Sequence, residues 1–107
     1  MIKDGFYRTE LNGPFGKGVG VVHILDGAVK GADDLMIYSG AVNVSPSGAV
    51  SGQVVAMVYV PSHNQKGQKF EVTCTGTAAG ESFALRGKYL TGELVEIKGE
   101  FVAGPEL

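Results

Sequence analysis

Apolar and polar residues alternate with a period of two in one segment after another, and this periodicity confines the chain to β-structure more tightly than any other feature of it. In Phe70-Glu71-Val72-Thr73-Cys74-Thr75, the side chains of Phe70, Val72 and Cys74 share one face and Glu71, Thr73 and Thr75 share the other. Ser82 to Tyr89 repeats the pattern, with Phe83, Leu85 and Tyr89 against Ser82, Arg86 and Lys88. Val95, Ile97 and Phe101 then oppose Glu96, Lys98 and Glu100. Three amphipathic strands in succession read as an antiparallel meander, and Thr77-Ala78-Ala79-Gly80 and Thr91-Gly92-Glu93 are short enough to be its hairpin connections. No window of a dozen residues keeps apolar positions at helical spacing.

The first half carries further strands. Phe6 to Leu11 is expected to turn Tyr7 and Leu11 inward, and Lys17 to Leu25 follows a glycine-rich loop. Asp26-Gly27 is a two-residue hairpin signal, because both central positions of that turn require positive φ, and Ala28 to Lys30 should run back beside the preceding strand. Gly31-Ala32-Asp33-Asp34 reads as a polar turn before Leu35 to Val44; Ser45-Pro46-Ser47-Gly48 is a loop, and Val50 to Val60 is the longest expected strand. Glycine makes up 17 of the 107 residues, scattered without a repeat, as many turns require. About eight strands in one domain over residues 1–107, with no room for a long helix, must close into a barrel or split into a sandwich to remove their edges.

Charge and composition narrow the function. Nine Lys and Arg against eleven Asp and Glu leave a net charge of −2, so there is no basic field for nucleic acid and no polybasic patch for a membrane surface. The longest apolar run, Val54 to Val60, falls far short of the roughly 20 residues that span a bilayer, and Met1-Ile2-Lys3-Asp4-Gly5 lacks the apolar core of a signal peptide. The single Cys74 has no internal disulfide partner, which fits a cytoplasmic location.

The candidate chemical groups each have a plainer reading. Gly13-Pro14-Phe15-Gly16-Lys17-Gly18-Val19-Gly20 continues into β-structure where a phosphate loop would open a helix. Asp33 and Asp34 fit a turn in which one side chain caps the backbone and the other is solvated. His23 and His63 have no second ligand at metal spacing, and His63 suits a loop histidine bonded to backbone. Cys74 lies on an apolar face with no cation to activate it. A non-enzymatic chain with no cofactor and no metal is therefore expected.

Val54-Val55-Ala56-Met57-Val58-Tyr59-Val60 is apolar on both faces, and only one face of a strand in a small domain can look inward. Lys17 to Leu25 is also two-sided, with Val19, Val21 and Leu25 against Val22 and Ile24. One reading is a homodimer interface built from Val55, Met57 and Tyr59, with Val22 and Ile24 as additions; the other is a strand that crosses a corner and switches its buried face.

Lys3-Asp4-Gly5-Phe6-Tyr7, Gly16-Lys17-Gly18-Val19-Gly20-Val21-Val22, Leu25-Asp26-Gly27, Gly31-Ala32-Asp33 and Tyr38-Ser39-Gly40 follow an order that resembles the GrlR-type family of bacterial negative regulators of type III secretion. The later strands agree with it mainly in pattern. The resemblance implies a lipocalin-like barrel, a homodimer, a bacterial cytoplasmic origin and a role in restraining a transcriptional activator. In the typifying regulator an acidic loop is associated with the activator; the corresponding Ser45-Pro46-Ser47-Gly48 carries no acid. Period and resemblance together predict an antiparallel barrel with Tyr7, Leu11, Tyr38, Val42, Phe70, Val72, Phe83, Leu85, Ile97 and Phe101 in its core. The expected function is a protein-binding regulatory module, with Ser45, Pro46, Ser47, Gly48, His63 and Asn64 as the loop residues that meet a bacterial regulatory protein. The alternative is a barrel that holds a small apolar ligand, although the large inward side chains suggest a filled interior.

Overall fold

The structure, a computed structural model, describes residues 2–107. Eight strands follow one another: β1 (Gly5–Gly13), β2 (Gly16–Leu25), β3 (Ala28–Ala32), β4 (Met36–Val44), β5 (Ala49–Val58), β6 (Lys69–Ala79), β7 (Ser82–Tyr89) and β8 (Leu94–Ala103). Each pairs antiparallel with the next, and β8 returns to β1, so the sheet closes into a barrel with no free edge. There is no helix among the described residues. The boundaries differ from the expected ones at several strand ends, and Thr77, Ala78 and Ala79, expected in a hairpin connection, belong to β6. β3 runs on to Ala32, so that the turn begins at Asp33, and β5 stops at Val58, which leaves the 11-residue β6 as the longest strand.

Alternation places the core as expected. Tyr7, Tyr38, Val42, Val72 and Phe83 are buried, and Leu11, Phe70, Leu85, Ile97 and Phe101 pack against them from inward positions. Val22 and Ile24, expected on the outside as additions to an interface, are instead 7% and 2% exposed and belong to the interior. The register explains the correction. Gly13 faces Gly16 across the Pro14-Phe15 turn, which sets Val22 opposite the inward Tyr7 and Ile24 opposite Gly5. Directly paired residues of an antiparallel ladder share a face, so Val19, Val21 and Leu25 point out.

A barrel this narrow cannot hold a large side chain at every inward position. Gly99 shows the solution: a Cβ there would lie 2.1 Å from the Phe83 ring, which already covers the glycine backbone from across the ladder. The aromatic rings interlock around it, with Tyr7 against Phe83 at 5.3 Å and against Phe101 at 5.6 Å between centroids.

The two ends of the barrel are built differently. At the end carrying the β2–β3, β4–β5 and β6–β7 connections, each turn reaches sideways to the strand beyond it. Val42 donates its N–H to the Gly27 carbonyl, Ala78 to Gly48 and Phe101 to Glu81, each at 2.8 Å. The β2–β3 turn has positive φ at Asp26 (50°) and Gly27 (80°), as its sequence requires, and the Asp26 N–H donates to Asp4 Oδ1 at 3.0 Å. The Tyr7 hydroxyl donates to the Lys3 carbonyl at 2.6 Å, and Ile2 packs on the interior, so this end is stitched shut.

Candidate functional site

The opposite end gathers the β1–β2, β3–β4, β5–β6 and β7–β8 connections, and Asp33 ties its parts together. Oδ1 of Asp33 accepts the backbone N–H groups of Leu35 at 2.8 Å and Met36 at 2.7 Å, which makes Asp33 the capping member of the Asp33-Asp34 pair. Its Oδ2 accepts the Tyr38 hydroxyl, and its carbonyl accepts the Tyr59 hydroxyl from beyond β5. Asp34 is exposed, the solvated half of the pair.

Beside this knot lies a recess of about 220 Å³ lined by the β1–β2 loop from Gly13 to Gly18, by Asp33 to Met36, and by Leu11, Tyr89 and Val95. The Phe15 and Tyr89 rings line it, and Phe70 packs edge-on against both, with centroids 5.5 Å from Phe15 and 5.8 Å from Tyr89. His63 adds a ring 6.1 Å from Phe15, while its Nδ1 accepts the Gln65 N–H at 3.0 Å, so it is held by backbone as its loop position suggested. Leu11, Tyr89 and Val95 also line a second space, a cavity of about 80 Å³ inside the barrel, so the two spaces lie on either side of the same side chains.

Electrostatically this region keeps protons on its hydroxyls. Burial pushes the Tyr38 phenol far above the ordinary tyrosine value, and the hydrogen bond to Asp33 adds to the shift. Burial also raises Tyr89, helped by the Glu93 charge. Cys74 faces the interior, where desolvation raises its thiol and withholds the thiolate a nucleophile needs. Among the described residues no three His, Cys, Asp or Glu side chains gather as a metal-binding group.

The loop residues singled out from sequence do not form one surface. Ser45, Pro46, Ser47 and Gly48 lie in the β4–β5 connection at the stitched end, where Ser45 and Ser47 join their hydroxyls at 2.8 Å. His63 and Asn64 lie in the β5–β6 connection at the other end. A contact patch that includes one set excludes the other.

Val55, Met57 and Tyr59 do point outward, Val55 and Tyr59 being 38% and 39% exposed and Met57 half-buried. They belong to a larger feature. Val21, Ala32, Ile37 and Met57 are successive ladder partners across β2, β3, β4 and β5, forming an apolar row on the outer wall between Arg8 and Lys69. Val21 and Ile37 are 49% and 42% exposed. Reading strands one at a time misses Ile37, because its neighbours in the row come from other segments; strand register brings them together. Thr9, enclosed between Tyr7 and Leu11 on the inward face of β1, and Phe15 at the mouth also escaped notice.

Among solved structures, the barrel is similar to one described as a redesigned beta barrel, with a TM-score of 0.71 and 13% identity over 94% of this chain and 91% of the other. At that identity the likeness concerns the fold alone. No protein-family model matches the chain, and no curated protein matches it.

Proposed function

We propose that the chain is a non-enzymatic protein-binding module that works as a homodimer and restrains a bacterial regulatory protein in the cytoplasm, as the likeness to GrlR-type regulators implies. The apolar row Val21–Ala32–Ile37–Met57 carries this reading. Apolar side chains scattered singly on a surface need no partner, but four in ladder contact, with Val55 and Tyr59 beside them, form a continuous strip that water wets poorly. A second copy of the same strip covers it in an isologous contact. Tyr59 is well placed there, its hydroxyl anchored on the Asp33 carbonyl while the ring remains part of the outer wall.

With β2 to β5 occupied by the second copy, the regulated protein has the loops to bind. The open end is favoured over Ser45–Gly48, because Phe15, His63 and the recess lie there while the β4–β5 turn is tied to β6. Sedimentation equilibrium at micromolar concentration tests the dimer. The expected mass is twice 11.1 kDa, falling to the monomer in Met57→Asp and Ile37→Asp with the circular dichroism spectrum unchanged. A monomeric native protein at concentrations of tens of micromolar overturns the reading.

A further inference from the structure

One polar atom in the barrel interior has been left without a partner. Thr9 is 1% exposed, and its Oγ1 makes no hydrogen bond among the described residues. Its ladder neighbours on both sides, Gly20 on β2 and Gly99 on β8, carry no side chain that could reach it. Thr9 forms part of the wall of the 80 Å³ cavity, whose other walls include Val22, Ile24, Val54 and Ile97.

An unpaired buried hydroxyl costs more than a typical hydrogen bond contributes, whereas valine fills the same volume without that cost. An empty barrel would thus be better served by valine at position 9, and the threonine makes sense when something supplies the missing partner. Space is available: one water needs about 10–15 Å³ on the scale by which this cavity holds about 80 Å³. The remaining walls are chiefly hydrocarbon, offering water few of the two to four partners it needs, and no ionised side chain lines the cavity to meet a charge.

We propose that the barrel interior binds a small uncharged molecule, about the size of a single ring, whose apolar body fills the cavity and whose one oxygen or nitrogen hydrogen-bonds to Thr9. From the recess, the molecule enters by displacing Leu11, Tyr89 or Val95, which line both spaces. This inference is independent of the dimer, since the cavity and the outer row lie on opposite faces of the sheet.

Phenol and benzene serve as probes, titrated into the native protein and Thr9→Val while the methyl resonances are followed by NMR. The expected result is saturable binding of both, with shifts concentrated on Val22, Ile24, Val54 and Ile97. The native protein should prefer phenol about tenfold over benzene beyond the ratio measured in Thr9→Val, a step of about 1.4 kcal/mol. Thr9→Ser, which retains the hydroxyl, should keep the preference, and Thr9→Ala, which lacks it, serves as the reference should the valine variant fold poorly. Absence of saturable binding to the folded native protein overturns the site. A phenol preference that survives unchanged in Thr9→Val overturns the role of Thr9.

Discussion

Asp33 joins three parts of the chain through three of its oxygens: two backbone N–H groups end on one carboxylate oxygen, a tyrosine hydroxyl on the other, and a second tyrosine hydroxyl on its carbonyl. Alanine there keeps the last contact and loses the first three, leaving the β3–β4 turn uncapped and Tyr38 without its acceptor. Urea unfolding of Asp33→Ala should show a loss of about 2–3 kcal/mol, the sum expected for a lost cap and a hydroxyl left unpaired. The tyrosines give a second test. Tyr7, Tyr38 and Tyr89 are all raised, chiefly by burial, so the folded state holds their protons more tightly than the unfolded chain does. The folded protein therefore binds more protons above the ordinary tyrosine value near 10, and stability must fall as pH rises beyond it, having been fully present below. Absorbance at the phenolate band should rise together with unfolding for these residues, and Tyr38→Phe should flatten the alkaline slope of the urea midpoint.

At the scale of a strand, β2 shows what alternation can and cannot tell. Val21 and Val22 are chemically identical neighbours, yet one is half-exposed on the outer wall and the other lies in the core. Truncation separates them: Val22→Ala should cost about 2 kcal/mol through the cavity it leaves, and Val21→Ala about 0.5 kcal/mol or less in the isolated subunit. Equal losses measured by urea unfolding under monomeric conditions would contradict the register. The β7–β8 ladder makes a complementary case, since the space beside Gly99 belongs to Phe83. Gly99→Ala must displace the ring, and a destabilisation of about 1–3 kcal/mol is expected, smaller when combined with Phe83→Leu.

Across the whole molecule, closure depends on β1 and β8, whose pairing joins Phe6 to Ala103 and Asn12 to Glu96. Such a contact must repay the entropy of closing nearly the entire chain into a loop, so folding should be slow for a domain of this size, in the range of milliseconds to seconds by stopped-flow refolding. The stitched end contributes by a different route. Its three turn carbonyls bind strands one place further round the barrel, so each hairpin is fastened to the strand that follows it. At the other end one backbone tie of this kind, from the Tyr59 N–H to the Leu35 carbonyl at 3.0 Å, is present among the described residues, and the recess lies there.

The amino-acid order alone determined the all-β class, the strand count, the Asp26-Gly27 hairpin and all ten expected core positions, because alternation, turn chemistry and burial are local properties that each segment carries with it. It also marked the Asp33-Asp34 pair as a capped turn and His63 as a backbone-held histidine, both short-range arrangements, while the structure decided that Asp33 is the cap. Tertiary structure decided the rest. In β2 both faces are apolar, so its phase is settled only by pairing with Tyr7, in the register that the two-residue turn at Pro14-Phe15 sets. The outer row joins residues from four strands, and Thr9 is orphaned by the glycines opposite it on two others. Such features depend on which residues meet across the barrel, and a periodicity of two within one strand contains no information about its neighbours until hydrogen bonding sets the register.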